Sequence, residues 1–320
     1  MSYLIDVCLC THNPELQKFK VVLDAITRQT LQPTAWQFIV IDNNSSPPLK
    51  EDTFTNLKSR GINIVLVREP VSGVLNARRK AVEVATSPWI LFVDDDNVIS
   101  DDYLETGLDY ATKHKEIACF GGRILLQPEI KVEKWIKQLL PLLAIRDYGK
   151  NEVVSRLENW GPWMPPSAGL FIRNEIAKRF FEVVDKNKAY ESLGRRGKQL
   201  KSGLDYMMVK EGPLMGYACA YVPDLELIHM LDPNRLTLHY MMKINWAYGR
   251  SHVIIRNIEK NRKKGIPIAR RNRLWIIARV PLRICNELFI SPLYALCKMS
   301  YRFGYIWQRT ITYVAFKLGI

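Results

Sequence analysis

The sequence predicts an α/β protein with a mostly parallel sheet covered by helices on both faces, followed by a basic helical region. Within the first 125 residues, strand-like and helix-like segments alternate, and the strand-like segments are continuously apolar. Continuous apolar strands separated by helices are typical of parallel sheets that are buried on both faces. The distribution of charge separates the C-terminal region from this sheet-forming part.

The predicted elements follow one another in a regular order along the chain. The strand candidates are YLIDVCLC, WQFIVID, INIVLVRE, PWILFVD and IACFGGRILL. A helix is predicted from Glu15 to about Gln29, and another over residues 74–85, where VLNARRKAVEVA has helical spacing. The segment NNSSPP after the second strand is rich in turn-forming residues.

The net charge of +14 is unevenly distributed. Residues 260–320 contain 13 Lys and Arg residues against one acidic residue, Glu287, whereas the first 259 residues carry 33 basic and 31 acidic side chains. This asymmetry predicts two parts with different partners, a sheet-forming domain over residues 1–258 and a basic region over residues 259–320.

Cysteine usage and the N-terminal residues bear on the compartment. The six cysteines form no CxxC pair, which favours reduced thiols in the cytoplasm. The chain enters a strand-like run almost at once and shows no basic segment or cleavage site of a secretory signal. A cytoplasmic protein is therefore expected.

Polar residues follow several of the predicted strands. In open parallel sheets, ligands bind beyond the carboxyl ends of the strands. The residues at those ends, which we expect to gather on one rim of the sheet, are Thr11, His12, Asn13, Asp42, Asn43, Asn44, Asp94, Asp95 and Asp96.

Three consecutive carboxylates follow the apolar run WILFV. If the strand continued, Asp94 and Asp96 would share a face about 6.6 Å apart and repel by roughly 2–3 kcal/mol at an effective dielectric near 20. A bound cation would offset this repulsion. The alternative is that the aspartates cap a following helix.

These residues carry a family resemblance. The segments CTHNPE, IVIDNNSS, GVLNARRKAVEVA and ILFVDDDN, in this order and spacing, resemble family 2 glycosyltransferases of the GT-A fold, a Rossmann-like architecture. The resemblance continues more weakly to about residue 255. It implies a site for a nucleotide sugar, with UDP as the expected nucleotide.

The resemblance implies roles for the rim residues in donor binding. Thr11 and Asn13 would hydrogen-bond the nucleotide, and His12 would stack on its base. Asp42 would accept a hydrogen bond from a uracil N–H, and Arg78 would approach the base or the phosphates as a forked donor. A simple loop residue is the alternative for His12, and a turn-former is the alternative for Asp42.

The resemblance also implies a divalent cation, Mn²⁺ or Mg²⁺, that bridges the diphosphate. Asp94 and Asp96 match the two ends of the family's DxD motif, with Asp96 the direct metal ligand. Asp94 or Asp95 would contact the ribose or a metal-bound water. His229 ends the strand LELIH at a position that often binds the metal, and an imidazole beside carboxylates favours Mn²⁺. A structural histidine is the alternative.

The acceptor side is expected beyond residue 150. Trp160 and Trp163, in the segment WGPWMPPSAGLFIRNEIA, could stack on a sugar or simply pack against protein. Family members carry Glu-Asp in the following marker, whereas KSGLDYM has Leu204 and Asp205. Asp205 would take the proton of the acceptor hydroxyl in a single inverting displacement; its alternative role is a helix N-cap. The QxxRW motif of processive relatives is absent, so one sugar per encounter is expected.

The C-terminal region reads as a basic linker, residues 259–273, followed by residues 274–320, which are apolar with scattered basic residues. Pro281 and Pro292 are expected to divide this region into short helices. A basic stripe beside an aromatic and aliphatic face predicts helices that lie on an anionic membrane surface. Packing on the catalytic domain or on another subunit is the alternative.

The leading hypothesis is an inverting, metal-dependent glycosyltransferase on the cytoplasmic face of the cell membrane. It would move one sugar to a glycan or lipid-linked acceptor in the synthesis of cell-surface polysaccharide or glycoconjugate. The competing hypothesis is a catalytically degenerate, membrane-tethered scaffold, suggested by Leu204 in place of Glu. A nucleotidyltransferase fits KSGLDYM and LELIH poorly, and no nucleic-acid partner is expected.

Overall fold

A computed structural model describes residues 3–195, 197, 199–264, 287–288 and 291–318. Within these residues, nine strands form one mixed sheet in the order β3-β2-β1-β4-β8-β6-β9-β5, with β7 also paired to β9. The strands are β1 (Ile5–Thr11), β2 (Trp36–Asp42), β3 (Asn63–Arg68), β4 (Trp89–Asp94), β5 (Asn97–Ile99), β6 (Ile117–Leu126), β7 (Val153–Ser155), β8 (Leu170–Arg173) and β9 (Ala218–His229).

The first four strands of the sheet confirm the predicted parallel arrangement. β1 pairs in parallel with β2 and β4, and β2 pairs in parallel with β3. β8 lies antiparallel between β4 and β6, and β6 is parallel to β9. The strands β5 and β7 were not predicted, since each has only three residues and too short an apolar pattern to read.

Helices flank the sheet strands along the chain. They are α1 (Leu16–Thr27), α2 (Thr55–Ser59), α3 (Val74–Val84), α4 (Tyr103–Lys113), α5 (Asn174–Asp185), α6 (Leu204–Val209), α7 (Glu211–Leu214), α8 (Leu238–Lys264) and α9 (Pro292–Leu318). Short 3₁₀ turns occupy Pro33–Ala35, Glu51–Phe54, Lys137–Leu143, Lys188–Leu193 and Pro233–Leu236. The predicted helices at residues 15–29 and 74–85 are confirmed as α1 and α3, within one or two residues at each end.

The chain divides into two compact units. The first, Met1–Pro128, Ala144–Lys186 and Leu204–Leu231, contains the whole described sheet. The second comprises Glu129–Leu143, Asn187–Gly203 and Asp232–Ile320. The predicted domain boundary at residues 258–259 falls inside α8 and stays a prediction.

Aromatic packing positions α4 against the sheet in the first unit. The rings of Phe120 and Phe171 stack with centroids 4.8 Å apart, and Tyr103 stacks on Phe171 at 5.9 Å. Gly107 of α4 lies against this stack, where a Cβ atom would come within 2.2 Å of the Phe171 ring. A glycine in the middle of a helix costs about 1 kcal/mol relative to alanine, and the close approach of α4 to the aromatic ring requires it here.

The second unit contains two long helices, α8 and α9, that pack against each other. The hydroxyl of Ser300 donates to the carbonyl of Met242 at 2.8 Å, and further along Nε of Arg250 donates to Gln308 at 3.0 Å. Because the contacts advance in the same direction along both helices, α8 and α9 run parallel.

The prediction of short helices at the C-terminus was wrong for the part after Pro292. Pro292 is the first residue of a single helix of 27 residues, because proline lacks the N–H that the first turn leaves unpaired anyway. Pro281 lies outside the described residues. The start of the expected linker, residues 259–264, continues α8, and residues 265–273 lie outside the described part. None of the described helices is both long and apolar enough to span a bilayer.

Candidate active site

The candidate site lies at the carboxyl ends of the central strands, where ligands bind in sheets of this type. In the strand register, Thr11 at the end of β1 lies beside Asp42 at the end of β2. On the other side of β1, Cys10 lies beside Asp94 at the end of β4. The register therefore brings the polar residues of three separate sequence segments to one edge of the sheet.

The loops after β1 and β2 are hydrogen-bonded to each other. Nδ1 of His12 donates to the carbonyl of Asn43 at 2.7 Å, and the side-chain oxygen of Asn13 accepts from the backbone N–H of Ser46 at 2.7 Å. The hydroxyl of Ser45 accepts from the N–H of Asn13 at 2.9 Å. His12 and Asn13 remain exposed, so a ligand can reach both.

Asp42 is buried below this loop and organises it. One carboxylate oxygen accepts from the N–H of Ser45 at 2.9 Å, and the other accepts from the N–H of Leu49 at 3.1 Å. These bonds match the turn-forming alternative considered for this residue. Its contact with a nucleotide base stays a prediction.

Asn43, next to Asp42, connects this loop to the start of α3. The sequence analysis gave it no role beyond its place on the rim. Its buried amide donates to the carbonyl of Val71 at 2.8 Å and accepts from the N–H of Gly73 at 2.7 Å. The run of turn residues NNSS is the sequence signal that could have indicated such an anchor.

The three aspartates do not lie on one continuous strand, so the expected alternation of their side chains was wrong. β4 ends at Asp94, and Asp95 and Asp96 form a turn into β5. The buried side chain of Asn97 holds this turn, because its oxygen accepts from the N–H of Asp94 at 3.2 Å and its amide donates to Asp96 at 3.0 Å. Since a strand follows Asp96, the helix-capping alternative is also wrong.

The turn directs the carboxylates toward different partners. The hydroxyl of Thr11 donates to Asp95. Pairing of β5 with β9 sets Asn97 opposite His229, and Oδ2 of Asp96 therefore lies 3.1 Å from Nε2 of His229. The structure thus brings together the DxD segment and the histidine, which are separated by 133 positions in the chain.

Burial and mutual repulsion act on these carboxylates. Burial raises the pKa of Asp95 to about 6, with the charges of Asp96 and Asp94 adding to the effect and the hydrogen bond from Thr11 opposing it. Burial also raises the pKa of Asp94, against the lowering effect of Arg78. Both shifts indicate a place where additional positive charge is electrostatically favoured.

The donor atoms beside Asp96 suit a divalent cation. No group of three potential ligands converges on one point within the described residues. Asp96 and His229 supply a carboxylate oxygen and an imidazole nitrogen side by side, because Oδ2 and Nε2 are 3.1 Å apart. Two protein ligands are a sufficient set for a metal that completes its coordination with water and substrate phosphates. Asp96 and His229 therefore fit the divalent cation that the family resemblance implies.

Arg78 and Asp205 form an ion pair that the sequence did not predict. Arg78, on α3, is buried with its guanidinium 5.9 Å from the centre of the Phe92 ring. One of its terminal nitrogens binds Asp205, on α6, and the other donates to the hydroxyl of Ser167. The same hydroxyl donates to Oδ2 of Asp205 at 3.2 Å, and the N–H of Ser167 approaches that oxygen at 3.3 Å.

The ion pair fixes the charge of Asp205. Burial raises its pKa, but the charge and hydrogen bond of Arg78 outweigh this effect, so that the pKa lies below its usual value. The side chain is still 31% exposed, so a substrate can reach the ionised carboxylate. Asp205 is the second residue of α6 and bonds to Arg78 and Ser167, which argues against the helix N-cap alternative.

Ser167 is a candidate functional residue that the sequence analysis did not single out. Ser167 is buried. It lies in the loop that connects β7 to β8 in the sequence, within the small-residue segment PPSAG. Its signal in the sequence was weak because a serine in a loop is common. Leu204, which stands where the family has Glu, is buried and offers no polar group.

The two tryptophans expected on the acceptor side have different environments. Trp160 is 51% exposed and lies against the guanidinium of Arg146, whose central carbon is 4.2 Å from the centre of the ring. Its ring is 5.8 Å from that of Tyr206, the residue after Asp205. Trp163 is half-buried and donates from Nε1 to the carbonyl of Leu157 at 3.1 Å. Trp160 is therefore the better candidate for stacking on a ligand.

Comparison with known proteins gives a family model and several relatives. The model described as "Glycosyl transferase family 2" matches residues 6–181, more than half of the chain. A glucosyl-dolichyl phosphate glucuronosyltransferase from Haloferax volcanii is 23% identical over 123 residues, which span only 38% of this chain and 38% of that protein.

Two solved structures share the fold. The mannosyltransferase PcManGT from Pyrobaculum calidifontis, solved with GDP-Man and Mn²⁺, superposes with a TM-score of 0.55 at 14% identity, covering 98% of this chain and 88% of that one. Residues 1–349 of S. aureus TarS superpose with a TM-score of 0.50 at 14% identity, covering 100% of this chain and 92% of that one. These similarities confirm the predicted α/β fold class.

Proposed function

Because the chain belongs to glycosyltransferase family 2, we propose that it is an inverting enzyme that moves one sugar from a UDP-sugar to an acceptor hydroxyl. The observation that carries this proposal is that two clusters lie around the end of β4, where the charges of Arg78, Asp96, Asp205 and His229 all influence the pKa of Asp94. Thr11, Asp95, Asp96 and His229 form the first cluster, and Arg78, Asp205 and Ser167 form the second. The first suits a diphosphate with its cation, and the second suits proton removal.

The donor would bind along the loops after β1, β2 and β4. The exposed His12 can stack on a base, and Asn13 and Thr11 can hydrogen-bond the nucleotide. Asp42 holds the β2 loop in shape from below and is within the same loop cluster. Asp94 and Asp95 remain available for the ribose or for a metal-bound water.

Asp96 and His229 would hold Mn²⁺ or Mg²⁺, with Asp94 as a further candidate ligand. When bound, this cation would offset the negative charge of the departing nucleoside diphosphate. The raised pKa of the neighbouring carboxylates supports a site built to accept positive charge.

Asp205 would act as the general base. Its carboxylate accepts the proton of the acceptor hydroxyl while that oxygen bonds to the anomeric carbon, and the bond from that carbon to the diphosphate oxygen breaks with its electron pair. One direct displacement inverts the anomeric configuration. Arg78 and Ser167 keep the carboxylate ionised and oriented, so we assign both as positioning residues and assign Arg78 to Asp205 in preference to the nucleotide.

The acceptor would be a glycan or a lipid-linked saccharide, with Trp160 the first candidate for stacking on a sugar ring. A lipid-linked acceptor fits with peripheral attachment to the cytoplasmic face of the membrane through residues 274–320. A catalytically degenerate scaffold, suggested by Leu204, would keep donor binding but show neither transfer nor hydrolysis of the donor.

The first experiment is calorimetric titration of UDP into the purified protein, with manganese and then with EDTA. Manganese-dependent binding supports the nucleotide and metal assignments together and justifies screening UDP-sugars for hydrolysis and transfer. Binding that EDTA leaves unchanged would remove the metal assignment. Absence of UDP binding in both buffers would contradict the UDP assignment, and GDP-linked sugars would then be titrated in the same way.

A further inference from the structure

We propose that α9 binds an anionic lipid bilayer through one exposed side of the helix. This surface, here called the lipid face, consists of Leu296, Phe303, Ile306, Trp307 and Ile311. The inference rests on the membrane attachment proposed above and identifies the residues that make it.

The first side of α9 is occupied by α8. Gly304 lies so close to α8 that a Cβ atom would come within 2.2 Å of the carbonyl oxygen of Trp246. A Cβ atom at Gly249 of α8 would likewise come within 2.0 Å of the carbonyl oxygen of Tyr301. Because both backbones meet at glycines, this side is fixed by helix–helix packing and is unavailable to lipid.

The second side is the lipid face, which adjoins α8 at Trp307, whose ring centre lies 6.5 Å from that of Trp246. Its large apolar residues are exposed. Phe303 is 57% exposed and Trp307 is 54% exposed. At 100° per residue, Phe303, Trp307 and Ile311 project within about 80° of one another. Exposed apolar residues are ordinary when scattered, but several large ones on one helix side mark an interaction surface.

The third side of α9 carries the positive charge. Lys298, Arg302 and Arg309 project within about 40° of one another and adjoin the lipid face on the side of Ile306. Arg302 pairs with Glu287 at 2.5 Å and only 15% of its side chain is exposed, so Lys298 and Arg309 are the members of the stripe that headgroups would meet. Glu287 is the one acidic residue among residues 260–320, which hold 13 Lys and Arg residues. An apolar side next to a basic stripe is the pattern of helices that lie in the headgroup region.

Charge favours anionic lipid over a second copy of the chain as the occupant. A symmetric dimer through the lipid face would set the same basic stripe of each copy near that of its partner, because a two-fold interface uses identical patches. Anionic headgroups instead attract the stripe while the acyl boundary receives Phe303 and Trp307.

The test measures partition of the full-length protein into vesicles. One set contains phosphatidylcholine with phosphatidylglycerol, and the other contains phosphatidylcholine alone. We expect the protein to sediment with the first set. The double variant Phe303→Ser with Trp307→Ser should partition at least about tenfold more weakly. Val21→Ser, which removes an exposed apolar residue of α1, is the control and should partition like the unchanged protein.

Point variants are preferable to deletion of residues 274–320, because deletion would uncover the side of α8 that packs on α9. Thermal unfolding checks that each variant keeps its fold. Equal partition of the double variant and the control would overturn the proposal, as would equal binding to both vesicle sets. Concentration-dependent dimerisation that the double variant abolishes would assign the lipid face to a second copy.

The same variants separate this inference from the proposed function. Donor binding is measured by UDP titration without vesicles. If the unchanged protein partitions into vesicles but binds no nucleotide, the catalytic proposal fails while the lipid face stands. If the protein binds UDP and the double variant partitions as before, the lipid face fails while the catalytic proposal stands.

Discussion

The contact between Arg78 and Asp205 joins two residues that are 127 positions apart in the sequence. A carboxylate alone at this depth would have a raised pKa, because burial disfavours its charged form. Arg78 reverses the direction of that shift, and Ser167 supplies two further hydrogen bonds to the same carboxylate. The carboxylate is thus kept ionised near neutral pH and in a single orientation.

Asp205→Asn tests the assignment of the base. The amide keeps the shape of the side chain but cannot accept the proton, so kcat should fall by about 10²–10⁴-fold. UDP binding should be unchanged, since Asp205 is assigned no contact with the donor. Steady-state kinetics and calorimetry check the two parts, and turnover close to that of the unchanged enzyme would remove Asp205 as the base.

Arg78→Gln and Ser167→Ala test the positioning role. Loss of the guanidinium should raise the pKa of Asp205, and because the ionised form is active, the acidic limb of the pH–rate profile should move to higher pH. Arg78→Lys keeps a positive charge and should move the limb less. Its kcat should lie between that of the unchanged enzyme and that of Arg78→Gln. Ser167→Ala should lower kcat by about tenfold with little change in the limb. A lower kcat in Arg78→Gln with an unmoved limb would indicate a purely structural role.

Asp96→Ala tests the cation site. Removing the carboxylate beside His229 should weaken manganese-dependent UDP binding by about tenfold or more, while any binding in EDTA should stay the same. Asp102→Ala is the matched control, since Asp102 is an exposed aspartate six positions away whose side chain makes no capping bond to α4. Calorimetry gives both affinities, and equal values for the two variants in manganese would argue against Asp96 as a ligand.

At the scale of elements, short strands decide where the functional side chains lie. β5 has only three residues, yet its pairing with β9 brings Asp96 to His229. The register of β1 with its two neighbours similarly aligns Thr11, Asp42 and the end of β4. A shift of one residue in either pairing would turn these side chains to the other face of the sheet.

Gly304→Ala tests the crossing of α8 and α9. Alanine gains about 1 kcal/mol of helix propensity over glycine, but its Cβ would lie 2.2 Å from the backbone oxygen of Trp246, which cannot rotate away. Overpacking of this kind costs typically 1–3 kcal/mol, so after the gain in helix propensity we expect the free energy of unfolding to fall by up to about 2 kcal/mol.

Thr310→Ala is the control for this substitution, because Thr310 is exposed on the same helix. It should leave stability unchanged or slightly higher. Thermal unfolding followed by circular dichroism compares the variants. A Gly304→Ala protein as stable as the control would show that the two helices have room to separate.

At the scale of the whole molecule, the charge distribution predicts how attachment responds to salt. Most of the net charge of +14 lies in residues 260–320, whereas the remaining residues are nearly balanced. Attraction to anionic lipid is screened beyond about 10 Å at 0.1 M salt and about 3 Å at 1 M. Partition into phosphatidylglycerol-containing vesicles should therefore weaken steeply as sodium chloride is raised, which sedimentation measures directly. Partition that is independent of salt would mean that the apolar side chains alone hold the protein to lipid.

The sequence by itself determined the parallel part of the sheet, the helices α1 and α3, and the rim on which Thr11 and the three aspartates lie. These features can be predicted because apolar continuity and helical spacing depend on residues that are neighbours in the sequence. The end of each predicted strand then locates the rim, since ligands bind at the strand ends of such sheets. The family resemblance of CTHNPE, IVIDNNSS and ILFVDDDN is local in the same sense, and the matching family model confirms it.

Only the tertiary structure decided which distant side chains meet. The turn at Asp95 and Asp96, the pairing of β5 with β9, and the ion pair of Arg78 with Asp205 depend on strand pairing and packing between segments far apart in the chain. The parallel packing of α9 on α8, and with it the side of α9 that is left exposed, was likewise fixed by Gly249 and Gly304 meeting the opposite backbone. Local patterns carry no information on such contacts, because their free energy arises only after the chain has folded around them.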